Sequence, residues 1–329
     1  MPAVAASAKV LGMADLPETV TLDNFVRAET ATYFRKQLAQ APVNEYFHNR
    51  VPVNVENQII IRSNVDLIYS YAVVDVTEGA TFTVPASDTY QVAQIIDENH
   101  YIAAVVYPGE TATLRASDLT SGTHVYILAR TATALGLEQA HALQDGLTID
   151  AGSANPFDAP NFDEGSLQEV KAQIEARAAE ADFSKGFGTP RTTDPVNHML
   201  AAELGWGGLS PQHAQYFQAL TTCSGCDEWT FPVPPLDYEH NGYFSVIKYD
   251  EQGWLDVAEP CLTDNDLTRN DDGTITVRFG DGACGTENLI AATEGQKYFY
   301  GIRLYRPADV DETRAFIEQL RANPIVAAR

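Results

Sequence analysis

Between residues 58 and 131 short apolar runs rich in β-branched and aromatic residues follow one another: QIIIR (58–62), LIYSYAVVDV (67–76), ATFTV (80–84), TYQVAQII (89–96), YIAAVVY (101–107) and THVYILART (123–131). Clusters of Gly, Asp, Pro and Ser separate them, so each reads as a strand. No long helical period lies between them, which points to an antiparallel barrel or sandwich and away from a doubly wound parallel sheet. Ahead of these strands, residues 21–39 carry a helical pattern. Leu22, Phe25, Val26 and Tyr33 lie near one face, and Thr21 is placed to cap it.

The pattern changes in the middle of the chain. LGLEQAHAL (135–143) reads as a short helix. Ser166 with Glu169 forms a capping box for another, Asp194-Pro195 starts a third that stops near Gly205, and Ser210-Pro211 is a further start signal. From residue 231 strands return, in GYFSVIKYD, GWLDVA, TITVRFG and YFYGIRLYRP. In TITVRF, Ile275, Val277 and Phe279 share one side, and Asp272-Gly273 is a hairpin-type turn before it. DETRAFIEQLRA is helical again. The fold class expected is α+β, mainly β: two antiparallel β-barrel or jelly-roll-like domains joined by a helical segment. The divisions fall at 1–50 (helical lead-in), 51–135 (first β domain), 136–230 (helical connection) and 231–329 (second β domain with a helical tail).

Composition narrows the function classes. The 329 residues allow about two domains of ~150 residues each. Lys plus Arg total 21 against 45 Asp plus Glu, a formal net charge of -24. Nucleic-acid binding and docking on anionic lipid both need clustered cations, so neither is expected. No apolar run is long enough to span a membrane. The first residues lack the charged start and apolar stretch of a secretory leader, so the expected location is cytoplasmic by default. The cysteines are Cys223, Cys226, Cys261 and Cys284. Only Cys223 and Cys226 are closely spaced; a zinc ribbon needs a second such pair, so unreactive thiols or a local Cys223–Cys226 disulfide are expected.

Several strings resemble the paired domain-of-unknown-function family numbered 1254 (N-terminal) and 1214 (C-terminal). They are LDNFVRAETATYF, RSNVDLIYSYAVVDV (family pattern close to R-x-N-x-D-T-L-Y-S), QIIDENHYIAAVVY, DPVNHMLAAELGWGG, NGYFSVIKYDEQGWL, NDDGTITVRFG and GIRLYRP, in order over roughly residues 20–307. The resemblance implies two barrel- or jelly-roll-like domains with a helical connection, and no particular reaction. Three features depart from the pattern: Ile68 in place of Leu, Gln296 where Trp is common, and a polar helical tail after Pro307.

Two polar clusters carry the candidate chemistry. Arg62, Asn64 and Asp66 would share one side of a strand, with Tyr69 turned to the other and Ser70 beside it. The alternative is structural, with Asn and Asp capping a turn and Arg62 paired to Asp66. The second cluster is Asp97, Glu98, Asn99, His100 and Tyr101, where a histidine beside carboxylates suits a general base, or a turn histidine held by hydrogen bonds. His198 reads as a packing histidine. No metal site, no cofactor motif, no G-x-S-x-G elbow and no phosphate loop occurs.

Whether the chain is an enzyme stays open at this stage. One reading is a module that binds a small polar or carbohydrate-like ligand in a β-domain cleft, with Arg62, Asn64, Asp97 and Tyr101 as ligand contacts. The alternative is a metal-independent hydrolase or lyase, with Asp66 or His100 as base and Tyr69 as donor. It requires Asp66 and His100 to converge. Uncovered edge strands would favour a homo-oligomer.

Overall fold

A computed structural model describes residues 17–327. The stretch searched for a leader lies largely within residues 1–16, outside the described residues. The helices are α1 (Phe25–Leu38), α2 (Leu137–Asp145), α3 (Glu164–Glu175), α4 (Pro195–Leu204) and α5 (Val310–Ala322). The strands of the N-terminal half are β1 (Phe47–His48), β2 (Leu67–Asp75), β3 (Ala80–Thr83), β4 (Gln91–Asp97), β5 (Ile102–Val106), β6 (Thr111–Leu114), β7 (His124–Ala132) and β8 (Thr148–Ala151). Those of the C-terminal half are β9 (Ala214–Thr222), β10 (Cys226–Phe231), β11 (Tyr243–Asp250), β12 (Cys261–Thr263), β13 (Ile275–Gly280), β14 (Leu289–Ala291), β15 (Lys297–Tyr305) and β16 (Val326–Ala327).

These strands build four open sheets, ordered β1-β2-β7-β4-β5, β6-β3-β8, β12-β11-β15-β9 and β14-β13-β10-β16. No sheet closes on itself. The expected pair of β-barrels or jelly rolls is therefore wrong, and β13 and β14 pair in parallel, unlike the antiparallel remainder. Strand propensity marked β2, β3, β4, β5, β7, β11, β13 and β15 but missed β9 and β10, which fall in the expected helical connection, and GWLDVA (253–258) forms no strand. Closure depends on pairing between the first and last strands of a sheet, which no local signal encodes. Four of the eight sheet edges are short: β1, β12, β14 and β16 are two or three residues long, one means of limiting edge-to-edge pairing, whereas the edge strand β9 has nine residues.

In the N-terminal half, alternate residues of β2, β4 and β7 face the small sheet. Ala72, Val74, Ile95, Val125 and Ile127 pack there with Phe82 and Val84. The opposite face of the same sheet is divided. One part (Val73, Ile96, Tyr126, Leu128) meets Phe34 of α1 and Trp206. The other part (Leu67, Val92, Ala132) meets Leu209, Ala214, Tyr243 and Tyr305 of the C-terminal half. The helices α1, α3 and α4 form one layer around Phe25, Leu167, Ile174 and Leu200. In the C-terminal half the two sheets enclose Trp229, Phe244, Val277, Phe279, Tyr300 and Leu304, and α5 adds Phe316, Ile317 and Leu320.

Local details differ from the sequence reading in informative ways. Helix α1 starts at Phe25, and Asn24 accepts from Thr21 N, so Thr21 is not its cap. Asp163, not Ser166, caps α3, accepting from Ser166 N at 2.7 Å. Asp194 caps α4 as expected, with Pro195 in its first turn. Residues 211–213 form a turn leading into β9, with no helix. The 58–62 run is β-branched but forms no strand; Ile59 is 88% exposed. Cys226 is disulfide-bonded to Cys284, while Cys223 and Cys261 are free. The antiparallel pairing of β10 and β13 sets Cys226 opposite Gly280, four residues before Cys284, so the bridge is across strands and not within CSGC.

Residues 49–66 act as a strap. They leave β1, cross to the C-terminal sheet and return to start β2. Arg62 N donates to Gly253 O at 2.7 Å, Gln58 exchanges two hydrogen bonds with the Leu255 backbone, and Val53 and Val65 pack on Ile247, Tyr249 and Leu255.

Candidate functional site

The strap delivers Asn64 and Asp66 to the seam between the halves, both 6% exposed. The chain is extended as a strand only from Leu67, so the period-two argument does not reach Arg62. Arg62 is exposed, has a positive φ of 55°, and lies over the Phe299 ring at 5.0 Å; it forms no ion pair with Asp66. Asn64 Nδ2 donates to Tyr305 Oη at 2.6 Å, and Tyr243 Oη donates to Asp66 Oδ2 at 3.1 Å. Burial raises the Asp66 carboxyl above the usual carboxylate range, with the Arg303 charge and the Ser245 and Tyr243 hydroxyls opposing it.

Sheet register explains what faces these groups. Across β11, β15 and β9, Ser245 pairs with Arg303 and Arg303 with Tyr216, while Tyr243 pairs with Tyr305. Alternation places Ser245, Arg303, Tyr216, Tyr243 and Tyr305 on the face opposite the core residues Phe244, Ile302 and Leu304. This polar face is laid against β2 and β7. Arg303 Nη2 donates to Arg62 O and to Tyr249 Oη, each at 2.7 Å, and its Cζ lies 5.9 Å from the Tyr216 ring centre.

From the N-terminal side come Tyr69, half-buried, and Arg130, which is 8% exposed. Arg130 Nη1 donates to Gln94 Oε1 at 2.8 Å and Nη2 to Gly207 O at 2.6 Å. Tyr69 stands opposite Arg130 across β2 and β7, Tyr216 opposite Arg303 across β9 and β15, and Tyr69 packs with Tyr243 and Tyr305, so these groups gather at the seam. Tyr216 keeps 41% of its surface accessible, so the seam is open to solvent on that edge. A second opening lies at the other edge of the same row. It is a cavity of about 420 Å³ lined by Asp66, Thr133, Cys261, Thr263 and Asp266 among others.

The seam also concentrates unpaired polar atoms. Asp66 Oδ1, Ser245 Oγ, Arg303 Nε and Tyr90 Oη are buried and have no hydrogen-bond partner. Tyr90 packs on Tyr243 and Tyr305, with ring centres 5.0 and 5.3 Å apart. Sequence reasoning passed over Arg130, Arg303 and Tyr216. The available signal was an arginine inside each of two otherwise apolar strands, THVYILART and YFYGIRLYRP.

The second cluster lies elsewhere. Asp97 caps the β4–β5 turn: Oδ1 accepts from Asn99 N and Tyr101 N, and Oδ2 from Thr120 N and Oγ1. Glu98 accepts from Thr123 N and His124 N and pairs with Arg27. Buried His100 has a positive φ of 65° and accepts from Gly207 N through Nε2 at 2.9 Å, which assigns its proton to Nδ1. Burial, with His198 nearby, holds its pKa well below the ordinary value. Tyr101 stacks on His198 at 4.2 Å, and the His198 ring nitrogens lie 3.0 Å from Gly186 O and Asn99 O.

Strand register separates the two clusters. Leu67 pairs with Ala132 and Asp97 with Val125, seven positions apart on β7. At ~3.3 Å per residue, Asp66 and His100 lie ~20 Å apart along the sheet. The structure does not bring them together, and a base pair of Asp66 with His100 does not form. A hydrolase or lyase site that needs both groups together is not assembled here. Among the described residues no cluster of three His, Cys, Asp or Glu side chains could hold a metal ion, and no helix is long and apolar enough to cross a membrane.

Fold and site together define a two-part β protein, with open sheets meeting at a polar seam beside a helical layer. Comparison with known proteins adds the following. Residues 43–118 match the family described as Protein of unknown function (DUF1254), a stretch that holds Asn64, Asp66, Tyr69 and His100. The chain is similar in fold to the VPA0106 protein from Vibrio parahaemolyticus, at 14% identity and a TM-score of 0.69 over 94% of this chain and 98% of that one. It is also similar to a protein from Burkholderia cenocepacia, at 16% identity and a TM-score of 0.51 over 88% and 84%. No curated protein matches the chain.

Proposed function

We infer that the chain binds a small polar, carbohydrate-sized ligand in the seam between its two β halves. One observation carries this reading: buried polar atoms with incomplete hydrogen bonding gather at one seam, Arg303 Nε and Tyr90 Oη without a partner and Asp66 Oδ1 with only the Ser245 hydroxyl near it. Buried polar groups are normally paired, and each unpaired one costs about 1–3 kcal/mol. A ligand with both donors and acceptors offsets that cost. Pockets for small molecules are commonly found where domains meet.

The test is a thermal-shift screen of sugars, polyols and small acids on the whole chain, followed by a crystal structure with the best stabiliser. The expected result is density between Asp66, Tyr69, Arg303 and Tyr216. If no compound raises the melting temperature and ordered waters alone satisfy those atoms, the seam is scaffold and the reading fails.

A further inference from the structure

The seam holds an imbalance of charge that the binding reading does not by itself explain. Arg130 and Arg303 both face it, and among the described residues neither forms an ion pair. Arg130 is buried and meets only neutral acceptors, Gln94 Oε1 and Gly207 O. Arg303 meets only Arg62 O and Tyr249 Oη, and its buried Nε is unpaired. An uncompensated buried cation is costly, and proteins pair buried charges wherever they can. The chain has 45 acidic residues, yet among the described residues none forms an ion pair with either guanidinium. The one carboxyl in the seam, Asp66, is biased by burial toward its neutral form and supplies an incomplete counter-charge.

The remaining groups at the crevice are also donors. Among the described residues the hydroxyls of Tyr69 and Tyr216 have no hydrogen-bond partner; Tyr305 Oη accepts from Asn64 and keeps its own proton to give. A wall of guanidinium N–H and phenol O–H groups fits a ligand rich in acceptors. Guanidinium donors bind oxyanions through short, charge-assisted hydrogen bonds.

We propose that the seam ligand is a small acid, held by an oxyanion group between Arg303, Arg130 and the hydroxyls of Tyr69 and Tyr216, with its neutral hydroxyls toward Asp66 and Ser245. The proposal rests on the binding reading above and narrows it to an anionic class. Carboxylate and phosphate share the required chemistry. The acidic exterior disfavours approach at low salt, and this repulsion is screened beyond ~10 Å at 0.1 M ionic strength. Binding should therefore strengthen, or hold steady, as salt rises from low values, the reverse of a surface cation site.

Isothermal titration on the whole chain with glucuronate, glucose and inorganic phosphate tests it. Glucuronate and glucose share the pyranose ring and differ only in the C6 carboxylate, and phosphate separates the two oxyanion sources. The expected result is that glucuronate or phosphate binds at least roughly tenfold tighter than glucose, and that Arg303→Gln removes that preference. Arg303→Gln also strips Arg62 O and Tyr249 Oη of a donor. Should it fail to fold, Tyr69→Phe and Tyr216→Phe, which delete only unpaired hydroxyls, carry the test, each lowering anion affinity several-fold. Equal or tighter binding of glucose overturns the anionic assignment and leaves the binding reading standing. No change in anion affinity in any of the three variants overturns it as well. If none of the probes binds, both fall.

Discussion

The two polar clusters that stand out in the N-terminal half are built on opposite principles. Around Asp97 and Glu98 the carboxylate oxygens are met by backbone amides, a threonine hydroxyl or Arg27. Around Asp66 and Arg303, an oxygen, a hydroxyl and a guanidinium nitrogen are buried and unpaired. Both clusters have the residue types from which active sites are made. Satisfaction of the carboxylates separates them: those of Asp97 and Glu98 are fully paired and hold the chain in place, with His100 Nδ1 buried and unpaired beside them, whereas the seam leaves several side chains unpaired.

The largest effect that could break this contrast is expected at Asp97. Asp97→Ala removes four hydrogen bonds from a turn buried under α4 and should cost about 3 kcal/mol or more in urea unfolding. A loss within the range of ordinary surface substitutions would show that this turn is not scaffold. Next comes acid sensitivity. Tyr107 Oη donates to His213 Nδ1 at 2.9 Å, and burial, with the Arg306 charge, lowers the His213 pKa to about 4. A base depressed below its unfolded value loses stability as pH falls, here between about 6.5 and 4. The same sign holds for buried His100 beside the Asp97 turn, whose pKa burial also lowers, so both regions lose stability in acid. His213→Asn should remove the seam's share of that loss, read by hydrogen exchange across that window, and leave the turn's share unchanged.

Asp66 has the opposite sign. Its raised pKa means that folding favours the protonated carboxyl, so the stability it contributes is full in acid and is lost as pH rises through that pKa. Asp66→Asn keeps the shape without the charge. It should leave the unfolding free energy at neutral pH unchanged or raise it, by up to about 1 kcal/mol, and a marked drop would mean that the ionised form is paired. The smallest effect is expected at the rim of the crevice. Tyr216→Phe should shift unfolding by no more than about 0.5 kcal/mol, since it deletes an accessible hydroxyl, while weakening ligand.

Much of this contrast was hidden from the sequence for a physical reason. Alternation in TITVRF and in LIYSYAVVDV marked true strands, and Asp194-Pro195 marked a true helix start, because these signals are local. The run IIIR carried the same propensity but lies exposed on the strap, where tertiary position overrode it. Asn64 and Asp66 attracted attention as a dense polar motif, but their partners Tyr243, Tyr305 and Arg303 lie more than 170 residues away. Only sheet register puts them opposite one another. Asp97 and His100 looked equally promising because composition does not record whether a carboxylate is already paired.

The strap that leaves the first half at Asn49 and returns at Leu67 sets how the seam can move. It is anchored on the second half through Gln58, Arg62 and Ser63, and Asn241 Nδ2 reaches back to Ser87 O at 2.9 Å. The halves are thus tied by two crossings and cannot swing apart like a clamshell. Under the binding reading, a ligand would enter from an edge of the seam, beside Tyr216 or through the opening lined by Asp66 and Thr133, into walls that are already set. Its association should be fitted by a single step without a slow closing phase, and the two halves should melt together in one transition.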